Sequence, residues 1–143
     1  MHERLLGILA VALILVSVGC VTQRTPLRSS GNRPPPIVVT SGPPEFRHYD
    51  EAFINTVRNR WFDLLDNLPW AKTWTGKVIV SVHLHDDGRI TDPLVLKNTT
   101  SVTLGKLCER AITDSQPYPV WPHRMREIVK KRFRILEISF YYD

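Results

Sequence analysis

Two histidines and two aspartates lie together near the middle of the chain and could hold a metal ion. His83 and His85 are two residues apart, and Asp86 and Asp87 follow directly. Two imidazoles on one strand face can bind zinc weakly, but a stable site needs more protein ligands and supporting hydrogen bonds. Two aspartates followed by glycine are also typical of a tight turn. We therefore favour an exposed strand and turn over a metal site, and we expect no cofactor.

A cysteine nucleophile is the other candidate for catalysis. Cys108 could in principle act with His123 as its base. Cys108 nevertheless shares an apolar helical stripe with Leu104 and Ile112, which favours a buried and unreactive thiol. The seven glycines form no phosphate-binding loop. The sequence therefore favours a protein that is not an enzyme.

The tryptophans could form a stacking surface for a ligand. Trp61 falls on a helical apolar stripe and is expected in the core. Trp70 and Trp74 lie in the segment PWAKTW. This segment could be a half-buried lid over the core, or it could contact a partner or a glycan.

Positive charge is concentrated near the C-terminus of a chain whose formal net charge is +5. The cluster, opposed by a single acid, consists of Arg124, Arg126, Lys130, Lys131, Arg132 and Arg134. Such a cluster can be a solvated face, or it can bind anionic lipid, cell-wall polymer or an acidic partner. Nucleic acid is not expected as a partner, because the N-terminus indicates export.

Residues 1–20 have the pattern of an export signal or a membrane anchor. The apolar run from Leu5 to Val18 would form a helix of about 21 Å, which is shorter than the roughly 30 Å hydrocarbon core of a bilayer and suits a secretory signal. The run ends in VSVGC, which resembles the bacterial lipoprotein signal. The resemblance implies that Cys20 is lipidated and tethers the protein to a membrane of the cell envelope, in the periplasm. An uncleaved anchor and a plain cleaved signal are the alternatives.

The next segment, residues 21–46, contains six prolines and many polar residues. This composition is typical of a semi-extended tether without a core of its own. One folded domain is then expected over residues 47–143.

The remaining sequence alternates between helical and strand patterns. Apolar spacing predicts an amphipathic helix over 49–68 and another over 102–115. Strict alternation after Lys77, the turn at Asp86-Asp87-Gly88 and a return over 89–97 predict a hairpin. Alternation over 135–142 predicts a third strand. The expected fold is α+β, with a small three-stranded antiparallel sheet of order 2-1-3 packed against two helices.

Residues 76–142 resemble the C-terminal domain of TonB and TolA, the periplasmic ends of bacterial energy-transducing proteins. The shared features are GKVIVSVHLHDDGRI, a helix ending in Ala111 and Ile112, the segment PYPVWP and a final strand LEISFYY. A preceding helix over 49–68 fits the TolA-like version. The resemblance implies a non-catalytic domain of a TonB- or Tol-type envelope system that binds an extended segment of a partner protein by strand addition.

In the predicted sheet the last strand is an edge with unpaired backbone groups, which suits strand addition. Its exposed side chains would set specificity for the partner, and these are Ile135, Glu137, Ser139 and Tyr141. The alternative function is a structural envelope lipoprotein that holds cell-wall polymer or anionic lipid through the basic cluster. The sequence leaves the oligomeric state open.

Overall fold

A computed structural model describes residues 37–40 and 42–143 of the chain. The predictions of an anchor over 1–20 and of a lipidated Cys20 lie outside these residues, as do residues 21–36 of the predicted tether over 21–46. No helix within the described ranges is long and apolar enough to cross a membrane.

The described chain forms a four-stranded antiparallel sheet with three helices. The strands are β1 (Ile37–Val39), β2 (Gly76–His85), β3 (Ile90–Asn98) and β4 (Phe133–Tyr142), in the order β1-β4-β2-β3. The predicted hairpin is β2 and β3, and β4 pairs with β2 on its other side, so the three predicted strands have the predicted order. The prediction of an α+β fold is confirmed, whereas the number of strands is wrong because β1 was not predicted.

The additional strand comes from the segment that was predicted as a tether. Three successive β-branched residues favour extended backbone, and Ile37 is only 2% exposed. A 3₁₀ turn over Pro44–Phe46 then buries Phe46. The domain boundary predicted at residue 47 therefore lies too late, because apolar side chains before it contribute to the core.

The helices are α1 (Arg47–Asp66), α2 (Val102–Thr113) and α3 (His123–Val129). The first two match the predicted helices, whereas α3 was not predicted as a helix. The Ser101 hydroxyl accepts a hydrogen bond of 3.2 Å from the backbone N–H of Leu104 and so caps α2. A second 3₁₀ turn, Pro69–Thr73, follows α1.

One face of the sheet is covered by the apolar stripes of α1 and α2. Its central residues, Val78, Val80 and Val82, are fully buried, as the alternation predicted. Trp61 of α1 is buried as expected, and its Nε1 donates a 3.0 Å hydrogen bond to the hydroxyl of Tyr142. On the opposite face, the side chains of β2 and β4 are half-buried or exposed. This face of the sheet is therefore open to solvent.

The turn between β2 and β3 is held by the segment that precedes α3. The backbone N–H of Tyr118 donates to the carbonyl of Gly88, and that of Trp121 donates to the carbonyl of Asp86, both at 2.9 Å. Gly88 has φ +86°, and a Cβ there would overlap the carbonyl of Tyr118. Only glycine fits this position, because both its backbone angle and the close approach exclude a side chain.

Candidate functional site

Strand β4, the predicted binding strand, is not a free edge of the sheet. It pairs with β2 along its whole length of ten residues, from Phe133 to Tyr142. On its other side, β1 pairs with residues 138–140 only. The prediction that the last strand forms the edge is therefore wrong for the part that β1 covers.

The direction of the backbone groups of β4 follows from three hydrogen bonds and the strand registers. In an antiparallel pair, opposite residues alternate between bonded and non-bonded positions. The N–H of Thr40 donates to the carbonyl of Glu137 at 2.9 Å, so Val38 and Ser139, two residues along, form the next bonded pair.

The β2 side gives the same result independently. The carbonyl of Lys77 accepts from the N–H of Thr99 at 3.0 Å, and the N–H of His85 donates to the carbonyl of Arg89 at 2.9 Å. The odd-numbered residues of β2 therefore turn their backbone groups towards β3. Their opposite residues on β4 are also odd-numbered, and these turn their N–H and C=O groups away from β2, towards the β1 side.

The four predicted partner-binding residues all belong to this odd-numbered set. Ile135 is 62% exposed and Glu137 is exposed, while Ser139 and Tyr141 are half-buried. The ammonium of Lys77 lies 6.0 Å from the centre of the Tyr141 ring. The four residues therefore place their side chains on the open face of the sheet. Their backbone N–H and C=O groups lie along the edge of β4 that faces β1.

The part of this edge beyond β1 makes no backbone hydrogen bond within the described ranges. Phe133 and Ile135 have the same parity as Glu137, but no backbone hydrogen bond to them from the β1 side occurs within residues 37–40 and 42–143. The Phe133 ring stacks on the ring of His83 at 4.6 Å between centroids. An added strand could therefore pair with more of β4 than β1 does.

Sequence reasoning missed the residues that occupy the edge. Ile37 is opposite Phe140 and is buried, whereas Val38 is opposite Ser139, 40% exposed, on the open face. The available signal was the run IVVT directly after three prolines, since β-branched residues favour strands.

The opposite edge of the sheet, β3, is less suited to strand addition. It contains Pro93, which has no N–H, and Asp92, whose φ is +53°. Its pairing with β2 shifts register twice, which indicates bulges. These features interrupt a regular ladder and are typical of protected edges, although Leu94 and Leu96 are exposed there.

Arg134, predicted as part of the basic cluster, is buried instead. Its side chain is 10% exposed, and its Nη2 forms an ion pair with Oδ1 of Asp50, whose side chain is 4% exposed. The guanidinium also lies 5.0 Å from the centre of the Phe46 ring. Arg134 has the parity of the core-facing residues of β4, and so it points into the protein rather than to solvent.

The other five predicted cations remain at the surface: Arg124, Arg126, Lys130, Lys131 and Arg132. Arg124 lies 3.6 Å from Glu127, and Arg132 lies 3.7 Å from the half-buried Asp86, and both arginine side chains are exposed. Lys130 ends α3 in the left-handed conformation. Exposed pairs of this kind contribute little to stability, so these cations are available to an anionic ligand.

The two histidines engage different partners. Nδ1 of His83 lies 3.1 Å from a carboxylate oxygen of Asp92, and Nε2 of His85 lies 2.9 Å from the Thr91 hydroxyl. Asp87 accepts from the backbone N–H of Arg89 in the turn. Among the described residues, no three potential metal ligands come together.

The cysteine considered as a nucleophile is enclosed by the core. Cys108 is fully buried, and its Sγ lies 3.3 Å from the hydroxyl of Tyr142. Burial raises the pKa of the thiol to about 12, which suppresses the reactive thiolate. The His123 side chain is 83% exposed and lies 3.3 Å from Glu127, so the structure gives this pair no common site.

Trp70 and Trp74 are 43% and 40% exposed. They therefore combine partial burial with accessible ring surface.

Comparisons of this chain with protein-family models, with curated proteins and with solved structures found no match.

Proposed function

We propose that this domain is a protein-interaction module that binds an extended segment of a partner by strand addition on the β1 side of β4. The observation that carries the proposal is β1 itself. A three-residue strand, distant in sequence, already occupies this edge in antiparallel register. The edge thus accepts an extended segment through backbone hydrogen bonds and one buried aliphatic side chain, which is the chemistry of strand addition.

The cellular setting belongs to the same proposal. The signal-like residues 1–20 with Cys20 would tether the domain to a membrane of the cell envelope, with the folded part in the periplasm. The resemblance of residues 76–142 to TonB and TolA domains supports a role in an envelope transport or energy-transduction system. The partner would then be an envelope protein.

Photo-crosslinking tests the binding edge directly. A photoreactive amino acid in place of Ile135 should capture a partner from envelope preparations, because this side chain is exposed beside the uncovered part of β4. The matched control carries the same group in place of Leu94, which is similarly exposed on the other edge strand. Capture at position 94 with none at position 135 would contradict the proposal.

A second candidate function is retention on cell-wall polymer or anionic lipid through the exposed cations. It is favoured by one observation, namely that five basic side chains around the end of α3 are exposed. Charge attraction of this kind is sequence-independent and sensitive to salt.

Charge reversal separates the two functions. Replacing Lys130, Lys131 and Arg132 with glutamate should leave crosslinking at position 135 unchanged, because these side chains are exposed and none of the three residues belongs to β4. Binding to isolated cell wall, measured by co-sedimentation, should also remain unchanged under strand addition. Loss of co-sedimentation with intact crosslinking would assign the basic residues a separate role as a polymer-binding surface.

A further inference from the structure

Strand β1 is held to the sheet by few interactions. It contributes three residues to the ladder, whereas the β2–β4 ladder runs through ten paired positions. Among its side chains only Ile37 is fully buried, while Val39 is partly buried and Val38 is exposed. Ordering a short segment costs backbone entropy at every residue, which offsets most of what one buried side chain and a few hydrogen bonds contribute.

The rest of the fold has its own support without β1. The core face of β4 packs under α1 and α2, and Arg134 is tied to Asp50 of α1 and to Phe46. Departure of β1 would therefore expose Ile37 and the outer edge of β4 without breaking the central ladders. Local opening of this kind is typical of weakly held elements at the periphery of a domain.

The position of each β1 residue also specifies what can replace it. The residue opposite Phe140 must be a large aliphatic one, because Ile37 fills a buried position there. The next residue must have an N–H, because Val38 faces Ser139 at a bonded position. The third, at the place of Val39 opposite Ile138, is partly buried and suits a smaller aliphatic side chain.

A partner can gain contacts that β1 cannot make. In the described residues, pairing of this segment with β4 ends at Thr40, and the 3₁₀ turn at Pro44–Phe46 follows in the chain. Phe133 and Ile135 lie beyond that point with their backbone groups turned to the same edge. A longer extended segment of a partner would pair with these two residues as well. The additional hydrogen bonds would offset the advantage that β1 has from its high effective concentration as part of the same chain.

We infer that β1 is an exchangeable strand that occupies the partner site until a segment of the pattern large aliphatic, non-proline, aliphatic displaces it. The inference rests on the proposed function and adds the partner's sequence pattern and a competition within the chain. The apparent affinity for a partner is then lowered by the small fraction of molecules in which β1 has left the edge.

Proline substitutions in β1 test the competition. Val38→Pro removes a bonded N–H and should release the strand, whereas Val39→Pro, at a non-bonded position, is the matched control. The probe is a labelled peptide of this chain's residues 34–42, PPPIVVTSG. We expect the full-length Val38→Pro protein to bind it at least about tenfold more tightly than the wild-type protein, by fluorescence anisotropy, with a much smaller gain for Val39→Pro.

A measurement on the unmodified chain keeps the test valid if a variant fails to fold. The amide of Ser139, which faces Val38 of β1, should exchange hydrogen about 100-fold faster than those of Ile138 and Phe140, which face β2. Equal protection of Ser139 and of these two amides would overturn the inference. Equal peptide affinity for the wild-type and Val38→Pro proteins would overturn it as well.

Three further outcomes are distinguishable. A wild-type dimer that forms with rising concentration, and is lost in Val38→Pro, would assign the exchanged strand to a second copy of the chain and overturn the partner assignment. If crosslinking at position 135 captures a partner while Val38→Pro gains no peptide affinity, the proposed function stands and the competition is rejected. Peptide binding without any captured partner supports exchange but rejects the proposed function.

Discussion

Replacing Ser139 with proline is expected to abolish capture of a partner at position 135 while leaving the helical circular dichroism unchanged. Ser139 turns its N–H and C=O towards the β1 side, opposite Val38. Proline removes that N–H but spares the hydrogen bonds of the neighbouring residues to β2. Because an N–H that faces an edge can be lost without breaking the interior ladder, the domain should remain folded.

The control for this variant is Ser139→Ala, which removes the hydroxyl and keeps the backbone donor. It should retain capture at close to the wild-type level. Loss of capture in both variants would mean that the hydroxyl, rather than the ladder, carries binding. Full capture by the proline variant would reject strand addition at this edge.

Proline at two opposite residues of one ladder should thus have opposite effects on binding. At Val38 it removes the competitor and leaves β4 intact, so binding should increase. At Ser139 it removes the donor that any added strand needs, so binding should be lost even though β1 is released as well. A merely structural weakening of the sheet would instead move both variants in the same direction.

The elements with long periodic patterns were predictable from sequence because their periodicity reports burial directly. In β2, Val78, Val80 and Val82 alternate with half-buried residues, and all three are fully buried. The same alternation placed the open-face residues of β4 correctly. Local pattern is sufficient when an element is long enough to repeat it.

The strand β1 was not predictable in this way. A strand of three residues shows too little alternation to establish a period, and its partner residues 138–140 lie far away in sequence. The surrounding prolines dominate the composition of the segment and favour an extended tether. The β-branched run was compatible with a strand, but nothing local indicated which edge it would join.

The assignment of Arg134 to a surface cluster failed for a different reason. The dense run of basic residues before it suggested one solvated face, yet Arg134 has the parity of Leu136, Ile138 and Phe140. Likewise, Asp50 lies on the buried stripe of α1 together with Tyr49, Phe53 and Ile54. In the sequence, the available signal for a buried ion pair is that an acidic and a basic residue each occupy a position of an apolar pattern. Only the fold brings the two residues together.

The buried ion pair between Asp50 and Arg134 should contribute strongly to the free energy of unfolding of the domain. Replacing Asp50 with leucine, or Arg134 with methionine, is expected to lower the free energy of unfolding by about 3–5 kcal/mol, because each single change leaves an uncompensated buried charge. Asp50 Oδ2 and Arg134 Nε are already buried and have no hydrogen-bond partner among residues 37–40 and 42–143. The measurement is urea denaturation monitored by circular dichroism, extrapolated to water.

The double variant Asp50→Leu/Arg134→Met should be more stable than either single variant, since no charge is then left unpaired. Strictly additive losses in this double-mutant cycle would show that the two side chains act independently and would contradict the pairing. The pair Lys72 and Asp66 is the matched control, because its atoms are 3.1 Å apart but both side chains are exposed. The corresponding changes there, Lys72→Met and Asp66→Leu, should each cost less than about 1 kcal/mol.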